Sequence, residues 1–102
     1  MEKINKNKLL WKIAKRYIPT GNMFLSKNPS RFIDKIWPTY FSKSKGCEVW
    51  DLNKKKYYDM SLMGVGTNIL GYANKKVDTK VKDVIQKGKL TTLNCPEEVL
   101  LA

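Results

Sequence analysis

Histidine is absent from the 102 residues of this chain. No imidazole is therefore available among them as a general base or a metal ligand. Cysteine is scarce, because Cys47 and Cys95 are the only two and stand outside any metal-ligand spacing. We therefore predict no metal site. A disulfide between the two is an open alternative, but the expectation is two buried free thiols in a reducing cytoplasm.

Long hydrophobic runs are also missing. The apolar cluster of Leu9, Leu10 and Trp11 is interrupted at once by Lys12. It is too short for the core of a signal peptide or for a membrane span. We therefore expect a cytoplasmic protein with no membrane partner.

Arginine is rare, although the chain is strongly basic. The formal net charge is +11, yet Arg16 and Arg31 are the only arginines. Arginine is favoured for bidentate recognition of phosphate and guanine. A lysine-dominated charge therefore favours a solvated surface, and no nucleic-acid partner is expected. A small basic binding module for nucleic acid or anionic membrane stays open as the alternative.

The length allows one small domain at most. Apolar residues make up 42% of the chain, which is unlike the composition of a disordered tail. We therefore expect a hydrophobic core.

The pattern of elements predicts an α+β arrangement. Apolar residues recur at helical spacing over residues 4–18, among lysines, and Pro19 ends the helix. We expect this amphipathic helix to pack its apolar stripe against a domain or a partner subunit, with an anionic membrane surface as the alternative. After an irregular connection, strand formers at 40–44, 47–52 and 56–60 predict a three-stranded antiparallel meander.

A loop over residues 61–72 carries three glycines, Gly64, Gly66 and Gly71. Glycines at such positions permit close approach of the backbone to a ligand or to another chain segment. The spacing is not the dinucleotide fingerprint. Asn74 is the predicted N-cap of a helix that Gly88 ends.

The last residues predict the first turn of a further helix. Pro96 suits its first position and Glu97 its positive end. So short a helix is unstable alone, because nucleation is costly. We therefore expect the chain to belong to a larger body.

Four segments resemble, in order and with compatible spacing, the start of class III pyridoxal-phosphate-dependent aminotransferases, the family that includes glutamate-1-semialdehyde aminomutase. They are YIPTGN (17–22), KGCEVWDLNKKKYYD (45–59), MGVGTNILGYAN (63–74) and EEVLLA (97–102). The similarity runs from about Tyr17 to Ala102.

The resemblance implies a fragment of a fold-type I transferase. Residues 1–21 would be the amino-terminal helix and turn. Residues 22–60 would form the connection and meander of the small domain, and residues 61–102 would lead into the large domain. Met63, Gly64, Val65 and Gly66 would border the active-site mouth.

The resemblance also implies chemistry that residues elsewhere would supply. The family's Schiff-base lysine, its carboxylate for the pyridine nitrogen and its phosphate-binding amides lie beyond the matching segment. We therefore assign no catalytic or cofactor-binding residue, and we expect this chain to be inactive alone. The full protein would be a pyridoxal 5'-phosphate-dependent homodimer. It would act on an amino-acid or amino-sugar type substrate.

Three departures from the family pattern stand out. Asn53-Lys54 replaces the usual Asp-Gly turn, and Tyr72 stands where histidine is common. Val65 occupies a position at which the aminomutase branch tends to carry an aromatic residue. That departure argues against glutamate-1-semialdehyde as the substrate, whereas residues 22–27 are closer to aminotransferases of surface-polysaccharide synthesis.

A structural or interaction role for the sheet is a third hypothesis, because its edges would be exposed.

Overall fold

The computed structural model describes residues 4–33, 35–61, 63–88 and 91–102. The chain divides into two compact units, Met1–Tyr72 and Ala73–Ala102. The three-part division of the sequence, with boundaries at residues 21 and 60, stays a prediction.

The first helix, α1, spans Lys6–Tyr17. Asn5 caps it, since the Asn5 side chain accepts a hydrogen bond from the amide of Lys8 at 3.2 Å. Ile18 leaves the helical region, and Pro19 begins a short 3-10 turn, Pro19–Gly21. The predicted amino-terminal helix is confirmed.

The connection contains two more 3-10 turns, Leu25–Lys27 and Pro29–Arg31. After them the rings of Phe32 and Trp37 stack with centroids 3.9 Å apart. The two rings shield each other's faces, which gives this otherwise irregular segment a local aromatic anchor.

The sheet has three antiparallel strands in the order β1-β2-β3: β1 is Phe41–Lys45, β2 is Glu48–Asp51 and β3 is Lys56–Tyr58. Val49 lies between Ser44 and Tyr57 in the register. The predicted meander is therefore confirmed: β1 has the predicted length but begins and ends one residue later, β2 is one residue shorter at each end, and β3 ends two residues earlier.

The second unit contains two helices, α2 at Lys75–Gln86 and α3 at Pro96–Leu101. The side chain of Asn74 accepts hydrogen bonds from the amides of Lys76 and Val77 at 3.1 and 3.3 Å. Gly88 follows α2 with a positive φ of 90°. Both predicted ends of α2 are confirmed, as is Pro96 at the first position of α3.

The expected hydrophobic core is not formed among the described residues, where Pro29 is fully buried but no large hydrophobic side chain is. The apolar stripe of α1 is open, with Leu9 52% and Ile13 41% exposed. Its predicted packing against a domain is therefore not made within the described part of this chain. The two buried side chains of polar residues are Asn7 and Asp51.

Both cysteines are free, as expected, but the prediction that they are buried was wrong. Cys47 follows the Gly46 corner of the sheet, and Cys95 immediately precedes α3. Gly46 at the corner is exposed, and α3 is exposed along its length, so neither thiol is enclosed.

Within the described ranges, none of the helices has the length and apolar character needed to cross a membrane.

Candidate functional site

The glycine loop contains four successive residues with left-handed backbone. The φ angles are 42° at Met63, 72° at Gly64, 61° at Val65 and 76° at Gly66. Glycine adopts this region freely, but a side chain there costs about 1–2 kcal/mol. A β-branched residue such as Val65 is rarest in it. The predicted mouth residues thus form one strained left-handed turn.

Side chains from the next two residues hold this turn. The hydroxyl of Thr67 donates to the Gly64 carbonyl at 2.7 Å. The amide of Asn68 donates to the Met63 carbonyl at 3.1 Å. These bonds satisfy carbonyls that the left-handed turn removes from regular pairing. Val65, which is 81% exposed, stands at the tip.

The two ends of the loop are joined by a hydrogen-bonded clamp. The hydroxyl of Tyr72 donates to Asp59 Oδ2 at 2.6 Å, and the amide of Ser61 donates to Asp59 Oδ1 at 3.0 Å. Gly46 and Tyr72 form a two-bond antiparallel bridge to the sheet, at 2.8 and 2.9 Å. The loop therefore leaves and re-enters the sheet region at fixed points.

Gly71 makes this bridge sterically feasible. A Cβ on Gly71 would lie 3.2 Å from the Cα of Gly46, closer than ordinary contact. The prediction that a loop glycine permits close approach of another chain segment is confirmed here.

The Tyr72 side chain fits its position although histidine is common there in the resembling family. Burial, and secondly the hydrogen bond to Asp59, raise the pKa of Tyr72 to about 12. The hydroxyl therefore stays protonated as a donor at neutral pH.

An open apolar hollow of about 750 Å³ borders the turn. Met63, Gly64 and Val65 line it, whereas Gly66 does not. The other lining residues include a set of aromatic side chains: Phe32, Trp37, Tyr40, Phe41, Tyr57 and Tyr58. This set gives the loop an apolar wall against which another surface or a flat ligand can pack.

Sequence reasoning missed the central polar residue, Asp51. Its Oδ1 accepts the amides of Asn53 and Lys55 at 2.8 and 2.9 Å. Its Oδ2 accepts the amide of Asn7 at 3.2 Å and the hydroxyl of Tyr57 at 3.3 Å. An Asp that ends a strand and opens a turn signals the local pair of bonds, but nothing local signals Asn7.

Known proteins are similar to nearly the whole of this chain. No family model matches the chain. The glutamate-1-semialdehyde 2,1-aminomutase of Methanocaldococcus jannaschii is 32% identical over 102 residues, which are 98% of this chain and 22% of that protein. The aminomutase of Aquifex aeolicus is 34% identical over 99 residues, which are 95% and 22% of the two chains.

A solved structure has a similar fold. The FumI protein of Sphingopyxis sp. MTA144, in its pyridoxal-phosphate internal aldimine form, superimposes with a TM-score of 0.81 at 27% identity. The match covers 94% of this chain and 22% of that one. The chain thus spans about a fifth of the length of the relatives that it matches.

The ordered motifs, the meander followed by a helix and these matches agree: the chain is similar to an amino-terminal segment of the glutamate-1-semialdehyde 2,1-aminomutases, and its fold matches a fragment of a pyridoxal-phosphate-dependent transferase.

Proposed function

We propose that this chain forms the amino-terminal part of a pyridoxal-phosphate-dependent enzyme that transfers an amino group. Within that enzyme it would shape the active-site mouth and contribute to the subunit interface, without supplying the reacting groups. The observation that carries the proposal is the clamped left-handed turn of Met63–Gly66 beside the apolar hollow. Strained, over-determined turns are typical of functional sites.

The residues of this chain do not themselves fit the cofactor. Pyridoxal phosphate is held by a lysine that forms a Schiff base, together with a carboxylate for the pyridine nitrogen. Every lysine among the described residues is solvent-exposed. Asp51, the one buried carboxylate in the described part of the chain, already accepts four hydrogen bonds from its own surroundings. We therefore assign the cofactor to residues outside this segment and derive no step through it.

The exposed apolar surface supports a role as one part of a larger assembly. Leu9, Phe41 and Leu101 are 52%, 68% and 91% exposed. Burial of such surface is the main favourable term in association. The remainder of the enzyme and a second subunit are the partners that this proposal implies.

The substrate would be an amino-acid or amino-sugar type compound. Val65 at the tip of the turn is small and aliphatic, so it leaves more room at the mouth than an aromatic residue would. This supports a substrate other than glutamate-1-semialdehyde.

A chimeric enzyme tests the proposal. The matching segment of the Aquifex aeolicus aminomutase is replaced by these 102 residues, and the purified chimera is assayed with several amino donors. We expect it to bind pyridoxal phosphate with a Schiff-base absorbance band and to transfer amino groups. The separate 102-residue chain should give no stoichiometric band with the cofactor. A band from that chain, or a folded chimera that transfers no amino group, would contradict the proposal.

A pair of glycine variants of the chimera separates the mouth from general stability. Gly64 and Gly88 both have positive φ, at 72° and 90°. Both Gly64→Ala and Gly88→Ala therefore strain the backbone, but only Gly64 lines the hollow. We expect Gly64→Ala to lower kcat/KM by roughly tenfold or more and Gly88→Ala to leave it within about twofold, since misplacement at a site costs far more than strain elsewhere. Equal losses of kcat/KM in the two variants would show that the turn does not shape the active-site mouth.

A further inference from the structure

A second concavity, of about 660 Å³, lies between α1 and the turn that joins β2 to β3. Five lysines line it, namely Lys8, Lys12, Lys15, Lys35 and Lys55. We call this concavity the lysine groove. It lies entirely within the first unit of the chain.

Polar contacts turn the basic side of α1 into the groove. Lys8, Lys12 and Lys15 are spaced by four and three residues, so they share one side of the helix. The amide of Asn7 donates to Asp51, and the backbone amide of Lys6 donates to Asn53 Oδ1 at 3.1 Å. These bonds fix the helix with lysines facing the hairpin and with its apolar stripe exposed. Core packing alone would favour the opposite orientation.

The positive charge in the groove has no partner among the described carboxylates. None of the five lysines forms a salt bridge with a described Asp or Glu. Asp51 is the single described carboxylate that lines the groove, and its oxygens are taken by four hydrogen bonds. Like charges converging on a concave surface repel one another and attract an anion. Lysine binds phosphate well as a point charge.

Two indoles and one unpaired acceptor add features that a simple anion would not use. Trp11 and Trp37 line the groove, and Trp37 is 40% exposed with Phe32 stacked on one face. Indole faces stack well with nucleobases. The Oδ1 atom of Asn7 is buried without a hydrogen-bond partner among the described residues. It is shielded from solvent, so a ligand donor reaches it only when a neighbouring side chain turns aside.

We propose that the lysine groove binds a nucleoside polyphosphate. The phosphates lie against Lys8, Lys12 and Lys15, and the base lies against an indole. An amino or hydroxyl group of the ligand donates to Asn7. The volume of the groove suits a ligand of this size. None of the residues Met63–Gly66 lines the groove, which adjoins the apolar hollow at Trp37. The proposal does not depend on the enzyme proposed above.

Calorimetric titration of the full 102-residue chain tests the site, with ATP, pyrophosphate, adenosine and a single-stranded oligonucleotide as probes. The groove variant is Lys8→Gln/Lys12→Gln/Lys15→Gln. The matched control is Lys75→Gln/Lys80→Gln/Lys82→Gln on α2. Each variant lowers the net charge from +11 to +8, and glutamine preserves helix propensity. Far-UV circular dichroism checks that both variants keep their helices.

We expect ATP to bind more tightly than either pyrophosphate or adenosine. The groove variant should lose affinity by about tenfold or more, because charge-assisted contacts are removed. The α2 variant should stay within about twofold. If the groove variant unfolds, Lys55→Gln, which lies outside the helices, replaces it and should weaken ATP binding by several-fold. The proposal is overturned by undetectable ATP binding, by equal losses in the two variants, or by pyrophosphate binding as tightly as ATP. Binding restricted to a single-stranded oligonucleotide overturns it as well.

Discussion

At the scale of single residues, Lys54 shows how a departure from the family pattern is accommodated. It occupies the hairpin turn with a φ of 69°, and its amide donates to the Asp51 carbonyl at 3.1 Å. This is the turn position at which the resembling family carries glycine. The chain therefore pays a steric cost there that glycine would remove.

We predict that Lys54→Gly raises the free energy of unfolding by about 1 kcal/mol, because a left-handed non-glycine residue is strained by about that amount. Urea unfolding followed by circular dichroism measures the change. Lys55→Gly is the control, since Lys55 is not among the residues with positive φ, and it should lower the stability. Equal effects of the two substitutions would mean that flexibility, and not the φ of Lys54, controls the turn.

Tyr72 leads to a prediction of how the stability of the chain depends on pH. Its pKa is raised from 10.0 to about 12, first by burial and then by the bond to Asp59. The folded state thus favours the protonated hydroxyl. The associated stabilisation is complete below pH 10 and is lost as the pH rises towards 12.

Tyr72→Phe should therefore lower the free energy of unfolding by about 1 kcal/mol at neutral pH, the usual net value of such a hydrogen bond. The difference between the parent chain and Tyr72→Phe should shrink between pH 10 and pH 12. Unfolding curves of both proteins across this range provide the measurement, and the titration of other tyrosines and lysines cancels in the comparison. A constant difference would show that folding does not shift the pKa of Tyr72.

At the scale of elements, the sequence predicted what depends on neighbouring residues. Asn74 and Gly88 mark the ends of α2, and Pro19 marks the end of α1, because each signal acts within about one turn of its element. The orientation of α1 was not predictable in the same way. Periodicity shows that an apolar stripe exists, but the bond between Asn7 and Asp51, 44 residues apart, decides which side faces the hairpin.

In the candidate site, too, only the features that depend on neighbouring residues were predictable from the sequence. Resemblance and glycine content predicted Met63–Gly66 as the mouth, but the clamp between Tyr72 and Asp59 spans 13 residues and has no local signal. The apolar hollow is assembled from the connection, the sheet and the loop, so no run of neighbouring residues signals it.

The bridge between Gly46 and Tyr72 gives a prediction at the scale of elements. Gly71 and Gly66 both have positive φ, at 86° and 76°. A Cβ on Gly71 meets the backbone of Gly46, whereas a Cβ on Gly66 meets nothing within 4 Å. Gly71→Ala should therefore destabilise the chain by about 1–3 kcal/mol more than Gly66→Ala, the usual cost of forcing extra atoms into a packed site.

Hydrogen exchange at the amides of Gly46 and Tyr72 is the specific readout. Each amide donates across the bridge, at 2.9 and 2.8 Å. In Gly71→Ala both amides should exchange faster than in Gly66→Ala. Unchanged protection would show that the bridge tolerates the methyl group and that the close approach is not what glycine secures.

At the scale of the whole molecule, the chain has many large apolar side chains and buries none of them among its described residues. Both units share this property. In the first, Phe41 and Met60 are 68% and 90% exposed, and in the second, Val81 and Leu100 are 50% and 82% exposed. The local structure is specified by caps, turns and the Asp51 network, while the hydrophobic term that normally dominates folding stability is largely unused.

We therefore predict that the separate 102-residue chain binds the dye ANS, associates with itself as its concentration rises and unfolds at a lower temperature than the chimera. Exposed contiguous apolar surface is what ANS and neighbouring molecules bind. The chimera with the Aquifex aeolicus aminomutase should bind little ANS and melt sharply, because the rest of the enzyme would cover the same surfaces. Dye fluorescence, sedimentation and calorimetry of the two proteins at equal concentration provide the comparison. A monomeric chain that melts cooperatively and leaves ANS unbound would show that these apolar side chains cover one another in solution, and it would remove the main physical reason for assigning them to an interface.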